Sequence, residues 1–358
     1  MSDPYFSIVC PSYQGENKLR DLLTAIYQGT SGDQEIFETI IVLDASTDNS
    51  QEVIAGFKSE FPEFKISTHV NLQNLGPASS RNEGAEISKG EILLFLDDDC
   101  RPSREWFNDV AKVWKNASEK SIAAGGLVTP NKREFFTERY SEVFNSIQPW
   151  ALAPEKYDIF RRLSDYYRGA DLEKRGIEYF AGANFSIRKA AFLRVGGFPS
   201  QLRAGEDIAI CQAIRNEYGQ DSLLYESTLV MHHEYPQHFS ELLAKKFRYG
   251  KLLSRAMANG ELTHSLNPGP AIVLTLWLVC FIVLKILDAA GSPLSILLLA
   301  LSISTLYASF VVGMRKGVKR FSPQYLLFGA AFFLIEMANN FGFIYGLVIR
   351  SKELKKKY

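Results

Sequence analysis

The 358-residue sequence has few cysteines and no pattern to pair them: Cys10, Cys100, Cys211 and Cys280 are scattered, with neither a C-x-x-C step nor metal-finger spacing. That excludes a disulfide framework and a zinc module, and it suits a reducing compartment. Net charge is missing too. Lys+Arg and Asp+Glu both total 40, so no overall basic field draws the chain to nucleic acid, and no nucleic-acid partner is expected. No basic n-region followed by a long apolar run opens MSDPYFSIVCP, so no secretory leader is expected and the N-terminal part belongs in the cytosol. No G-x-G-x-x-G follows the first apolar run, which removes a dinucleotide-dependent oxidoreductase.

An apolar fraction of 46% supports a real core, and the chain divides into two parts of different character. From Phe6 to about Val230, short apolar runs alternate with helical patterns, as in βα units around a mostly parallel sheet. The runs Phe6 to Cys10, Thr39 to Asp44, Lys65 to Val70 and Glu91 to Asp97 read as buried strands, and Leu19, Leu22, Leu23 and Ile26 mark one helix face between the first two. In such sheets ligands bind at the carboxyl ends of the strands.

After Met257 the composition turns apolar. Residues 271–287, 294–312 and 325–349 are each long enough to be expected as membrane helices. Lys285 ends the first of these, while Glu336, Asn339 and Asn340 in the third should face protein or bend the segment. The basic stretches Arg315 to Arg320 and Lys352 to Lys357 both favour the cytosolic side, which three full crossings do not satisfy. The expectation is a spanning hairpin followed by a re-entrant or bent third segment near Asn339, Asn340 and Gly342, with a periplasmic C-terminus as the competing topology. Before these segments, Phe239, Leu242, Leu243, Phe247, Gly250 and Met257 lie on one helical face opposite Lys245, Lys246, Arg248, Lys251 and Arg255. Such a helix either lies on an anionic membrane surface or packs on the catalytic part. The domain reading is therefore 1–235 catalytic, 236–268 basic amphipathic helix and linker, 269–350 membrane helices and 351–358 basic tail.

The sharpest local feature is LFLDDDC, in which Asp97, Asp98 and Asp99 follow a buried strand directly. Adjacent carboxylates repel unless they share a cation, and oxygen ligands of this kind suit Mg²⁺ or Mn²⁺, which also bridges diphosphate oxygens. Asp44 and Asp48 in DASTDNS fit turn and helix capping as well as ligand binding. Glu206 and Asp207 in GEDIAI open a helix pattern, where acids also cap.

PSYQGENKL, IIVLDASTDNS, NLGPASSRNEGAEISKGEILLFLDDD, AGANFSIRKAAFLRVGGF and GEDIAI occur in that order, and on these motifs the segment from Phe6 to about Gly250 resembles the inverting family-2 glycosyltransferases of GT-A fold. The resemblance implies a Rossmann-like α/β sheet flanked by helices, here followed by an all-α membrane region. It implies that Pro11, Ser12 and Tyr13 line a nucleotide pocket and that Asp44 reads the base. The family's acid before that position is Leu43 here, and its Gly is Ala45; a uracil carrier is favoured.

By the same resemblance, Asn74 and Arg81 belong to the donor site with the arginine near the diphosphate, Asp97 contacts ribose or metal, Asp98 points elsewhere, and Asp99 is the direct metal ligand. Asp207, with Glu206 beside it, sits where these enzymes carry the catalytic base for the acceptor hydroxyl. His232, in the pair His232 and His233, is the candidate third metal ligand or else a surface residue at a strand end. The motif Q/R-x-x-R-W of processive synthases is absent, so single-sugar transfer is expected. The acceptor is expected to be a lipid-linked or other glycan at the membrane, with the enzyme on the cytoplasmic membrane contributing to cell-surface glycan synthesis. A processive synthase and a non-catalytic membrane partner are the alternatives.

Overall fold

A computed structural model describes residues 5–30, 37–132, 134–145 and 179–258, together with helical positions between 331 and 349. The chain forms two compact units, Met1–Tyr235 and Pro236–Tyr358.

The first unit is built on a seven-stranded sheet with strands β1 (Phe6–Ser12), β2 (Phe37–Asp44), β3 (Ile66–Asn71), β4 (Ile92–Phe95), β6 (Ala123–Gly125), β8 (Phe185–Arg188) and β9 (Leu223–Tyr225) in the order β3-β2-β1-β4-β8-β6-β9. A three-stranded sheet of β5 (Cys100–Arg101), β10 (Met231–His233) and β7 (Val128–Pro130) stands beside it. The helices are α1 (Glu16–Gly29), α2 (Ser50–Glu60), α3 (Pro77–Ile87), α4 (Arg104–Asn116), α5 (Phe136–Asn145), α6 (Lys189–Arg194) and α7 (Glu206–Tyr218).

Strand alternation makes the layers. Ile8, Ile41 and Leu94 pack in one core with Leu19, Leu22 and Leu23 of α1, Phe57 of α2 and Phe107 of α4. Their neighbours Val9, Ile40, Val42 and Phe95 join a second core with Ala78 and Ala85 of α3, Phe192 of α6 and Ile210 and Ile214 of α7. Strands apolar on both faces are what a sheet covered on both sides requires. Helix α3 lies close on this sheet because residue 84 is glycine: a Cβ there would fall 2.4 Å from Val9 Cγ1.

Strands β1 to β4 run parallel to one another in the order 3-2-1-4, so the chain's winding reverses between β1 and β4, and their carboxyl ends carry Ser12 and Asp97. A purely parallel sheet would not account for the rest. Strand β8 is antiparallel to both β4 and β6, because the chain enters it beside the end of β4, pairing Phe185 with Phe95, and must therefore run back down. The result is a GT-A-like mixed sheet with flanking helices.

The second unit contains α8 (Phe239–Ala258) and the helical positions between 331 and 349. These approach backbone to backbone. A Cβ on Gly250 would lie 2.0 Å from the Asn339 carbonyl oxygen, and one on Gly342 would lie 2.0 Å from that of Phe247. The Phe247 and Tyr345 rings are 5.7 Å apart and Lys251 Nζ lies over Tyr345. Asn339 thus faces protein, with its Oδ1 buried, while Leu334, Phe341, Ile344 and Val348 are exposed. Among the described residues no helix is long and apolar enough to cross a membrane. The expected segments 271–287 and 294–312 lie outside the described residues, as do part of 325–349 and the tail 351–358.

Candidate active site

The polar residues of the first unit gather where the parallel strands end. Asp97, Asp98 and Asp99 occupy the turn between β4 and β5, closed by the Cys100 amide donating to the Asp97 carbonyl at 3.0 Å. The three side chains diverge. Asp98 turns back toward β1: its Oδ2 accepts from Ser12 Oγ at 2.8 Å, and Lys18 Nζ lies 3.3 Å from its Oδ1. Burial raises its pKa, with Lys18 opposing and Asp99 adding. Gly15 allows this approach, since a Cβ there would meet Ser12 Oγ at 2.1 Å.

Asp97 and Asp99 converge with His233, their ligand atoms all within 4.8 Å of one another. His233 Nε2 is 2.9 Å from Asp99 Oδ1 and 4.0 Å from Asp97 Oδ2. Its Nδ1 contacts the Glu234 carbonyl oxygen, which in the neutral ring fixes the proton on Nδ1 and presents Nε2 to the carboxylates as a base. Two carboxylates and an imidazole lone pair aimed at one point fit a divalent cation. Cys100 is adjacent, but burial pushes its thiol pKa well up, and it serves as acceptor for the Asp97 amide and donor to the Ala183 carbonyl, so no thiolate joins the set.

The sequence expectation fell on His232, and the structure brings in its neighbour. The run from Leu223 to Met231 does not form one strand: it breaks at a turn where the Leu229 amide bonds the Glu226 carbonyl, and a separate β10 begins at Met231. Met231 is fully buried, His233 shares its side of the strand, and pairing with Cys100 sets it beside Asp99. His232 alternates to the other side, where its Nδ1 is buried without a hydrogen-bond partner.

Arg81 is nearly inaccessible, at 3%, and is not an open surface charge. Its Nη2 donates to Asp97 Oδ1 at 2.6 Å and its Nη1 to Glu206 Oε1 at 2.9 Å, while the guanidinium lies 5.3 Å from the Phe198 ring centre. Burial alone would lower its pKa, but Asp97 and Glu206 outweigh that and raise it. Arg81, expected near the diphosphate, is thus paired with two carboxylates at the sheet edge. Gly182 leaves the room: a Cβ there would sit 3.0 Å from Nη2.

Glu206 and Asp207 open α7 after Gly205, which is left-handed at φ 80°. Arg81 carries Glu206 to within one guanidinium of Asp97. Asp207 accepts from the Ile208 amide at 2.9 Å, and burial first, then the adjacent Glu206, pushes its pKa up to about 7. A carboxylate poised there can exchange a proton near neutrality.

Asp44, the expected base reader, ends β2 at 3% exposure. Its Oδ1 accepts from the Leu75 amide at 2.8 Å and Asn71 Nδ2 at 3.1 Å, and its Oδ2 from the Gly76 amide at 2.7 Å. These bonds brace the loop that starts α3. Asn74 holds the same loop, donating to the Asp44 carbonyl and accepting from Arg203 Nη1 at 2.9 Å. Asp48 is a cap, bonding the Glu16 amide at 3.0 Å and the Ser50 amide at 3.2 Å. Pro11 and Ser12 end β1, buried, and Tyr13 follows with 54% of its surface exposed. Sequence reasoning missed Lys18 and His233. Lys18 had a signal, because a lysine in the first turn of a helix opposes the macrodipole and calls for an acidic partner.

The chain matches the sequence profile of the family described as Glycosyl transferase family 2 over residues 7–196. It is 26% identical over 248 residues to the glycosyltransferase AglE of Haloferax volcanii, covering 69% of this chain and 72% of that one. It is 24% identical over 230 residues to the glucosyl-dolichyl phosphate glucuronosyltransferase of the same organism, covering 60% and 66%. Among solved structures, the mannosyltransferase PcManGT of Pyrobaculum calidifontis in complex with GDP-Man and Mn²⁺ superposes with a TM-score of 0.59 at 18% identity, over 92% of this chain and 87% of that one; at that identity the likeness concerns the fold.

Proposed function

The chain belongs to glycosyl transferase family 2, and from that footing we propose that it is an inverting, metal-dependent hexosyltransferase that moves a sugar from a nucleoside-diphosphate donor to a membrane-associated, lipid-linked acceptor in cell-surface glycan synthesis. The observation that carries the reading is the single constellation formed by Asp97, Asp99 and His233 on one side of Arg81 and Glu206 on the other, with Asp207 next in sequence. The first group would hold Mg²⁺ or Mn²⁺, which when bound supplies positive charge against the diphosphate that leaves. Asp207 takes the proton of the acceptor hydroxyl, its pKa of about 7 matching it to a base at neutral pH, and attack from that side inverts the anomeric carbon. Arg81 fixes the separation between the two groups.

Asp44 braces the β3–α3 loop at the sheet edge, where it remains the group expected to read the donor base. A uridine carrier is the expected donor, and a guanosine carrier is the alternative that the assay below separates from it. A nucleotide-sugar donor is in keeping with GDP-Man in PcManGT, and a polyprenol-linked acceptor with the glucosyl-dolichyl phosphate in the name of the archaeal relative. The membrane setting rests on the apolar stretches 271–287 and 294–312 and on α8, where Lys245, Lys246, Arg248 and Lys251 offer charge to an anionic headgroup layer. On this reading the catalytic unit works at the cytosolic face of the inner membrane.

The test is a panel of UDP- and GDP-sugars assayed for Mn²⁺-dependent hydrolysis and for transfer to polyprenyl-diphosphate sugars. One donor turned over with metal, and silenced by Asp99→Asn or Asp207→Asn, is the expected outcome. Donor binding that survives exhaustive chelation unchanged would sink the proposal.

A further inference from the structure

We propose that Lys18 is a positioning residue that acts as a built-in counter-charge to the cation site: it keeps a free divalent ion weakly held and makes tight binding depend on the arrival of a diphosphate. The inference rests on the metal-dependent reading above and concerns a residue of this chain that the reading does not use.

Lys18 occupies the first turn of α1, where Glu16 suits the helix N-terminus and a cation does not. Something outside the helix must hold it there, and the contacts show what. Its Nζ is 3.3 Å from Asp98 Oδ1 and 3.8 Å from Asp99 Oδ2. The second contact decides the matter, because the other oxygen of Asp99 is the one 2.9 Å from His233 Nε2. One carboxylate therefore faces the Lys18 ammonium on one side and the convergence point of the ligand atoms on the other. Asp98, held by Ser12 and Lys18, is turned out of the ligand set, so its charge serves Lys18 first.

The consequences follow from charge. The local acids Asp97, Asp98, Asp99 and Glu206 are set against Arg81 and Lys18. A divalent ion added to this group gains the carboxylates but meets the ammonium across Asp99, and at such separations like charges in a partly buried site lower affinity appreciably. A nucleoside diphosphate reverses the sign. Its oxygens bind the ion and at the same time attract the ammonium, which at 38% side-chain exposure has room to turn toward them. Ion and diphosphate then strengthen each other's binding by the same factor.

The experiment measures Mn²⁺ affinity by electron paramagnetic resonance on the full chain, alone and with UDP or GDP, and nucleotide affinity by calorimetry at saturating Mn²⁺, for wild type, Lys18→Met and Lys18→Arg. Lys18→Met is expected to bind free Mn²⁺ about tenfold more tightly and the nucleotide about tenfold more weakly, each factor of ten being one pK unit of interaction. Lys18→Arg, which keeps the charge, should stay near wild type. A merely structural role for Lys18 would weaken both affinities together along with the melting temperature. Mn²⁺ affinity in Lys18→Met within twofold of wild type, or weaker, overturns the inference while leaving the metal-dependent reading standing. Wild type binding no Mn²⁺ with or without nucleotide overturns both.

Discussion

Replacing Asp207 by Asn should stabilise the protein while abolishing transfer, and the gain should depend on pH. Burial and the neighbouring Glu206 move the Asp207 carboxyl from 3.8 to about 7. The folded state therefore keeps its proton through a range in which the unfolded chain has released it, and stability falls as pH climbs from about 4 to about 7 and is level above. The difference of 7 and 3.8 is 3.2 units, which at 1.36 kcal/mol per unit sets a ceiling of about 4 kcal/mol on the cost of an ionised Asp207 at pH 8. Relaxation of the site and the shared titration with Glu206 reduce that, so about 1–3 kcal/mol is expected. Asn keeps the acceptor for the Ile208 amide and carries no charge. Urea unfolding of the metal-free protein at pH 5 and pH 8, wild type against Asp207→Asn, measures the gain; kcat/KM of the wild type over the same range should rise with an apparent pKa near 7. Equal stability differences at the two pH values, or a variant no more stable at pH 8, would refute the electrostatic argument even if activity were lost.

His233→Ala should weaken Mn²⁺ binding by about 10–100-fold, whereas His232→Ala should leave it within about threefold, which metal titration of the two variants distinguishes. Arg81→Met removes the only cation ion-paired to Glu206 among the described residues and should cost about 3 kcal/mol in unfolding experiments. Arg81→Lys should recover little of it, since one ammonium does not span two carboxylates. Gly250→Ala places a methyl against the Asn339 carbonyl and should destabilise the second unit by about 1–3 kcal/mol, seen as faster amide exchange in α8 with the first unit unchanged.

The strands most fully covered by helices were the most legible. Runs such as IIVLD and ILLFL are apolar on both faces, so their burial shows in composition alone: β4 falls inside its expected segment, and β2 shares the expected end at Asp44 but begins earlier, at Phe37. The acid triplet was legible for the same reason, since charge directly after such a run has only the sheet edge to occupy. What could not be read was parity across a hidden turn. Leu223 to Met231 looks like one apolar strand, yet the turn at Glu226 splits it between two sheets, and that shift decides which histidine meets Asp99. Nor does an aspartate advertise its partners. Asp44 and Asp97 both end buried strands, and only the three-dimensional path of the Asn74–Gly76 loop makes one a brace while the other faces the site. The division at Tyr235 follows the composition change less directly, because α8 precedes the long apolar stretches.

The placement of Arg81 explains why motifs so far apart in sequence act as one site. A buried guanidinium needs opposite charge beside it, and here the partners of Nη2 and Nη1 come from the turn after β4 and the start of α7, 16 and 125 residues away, while Nε has no hydrogen-bond partner. Each partner in turn would be costly without it: Asp97 beside Asp98 and Asp99, and Glu206 beside Asp207, are pairs of like charges in a partly desolvated edge. Neutralising Arg81 would therefore do more than weaken a contact, because it would leave two acids repelling across the gap where donor and acceptor must meet. The same charge that stabilises the fold also sets the distance between the cation ligands and the base, so substitutions there should shift stability and turnover together, while substitutions at Lys18 should separate them.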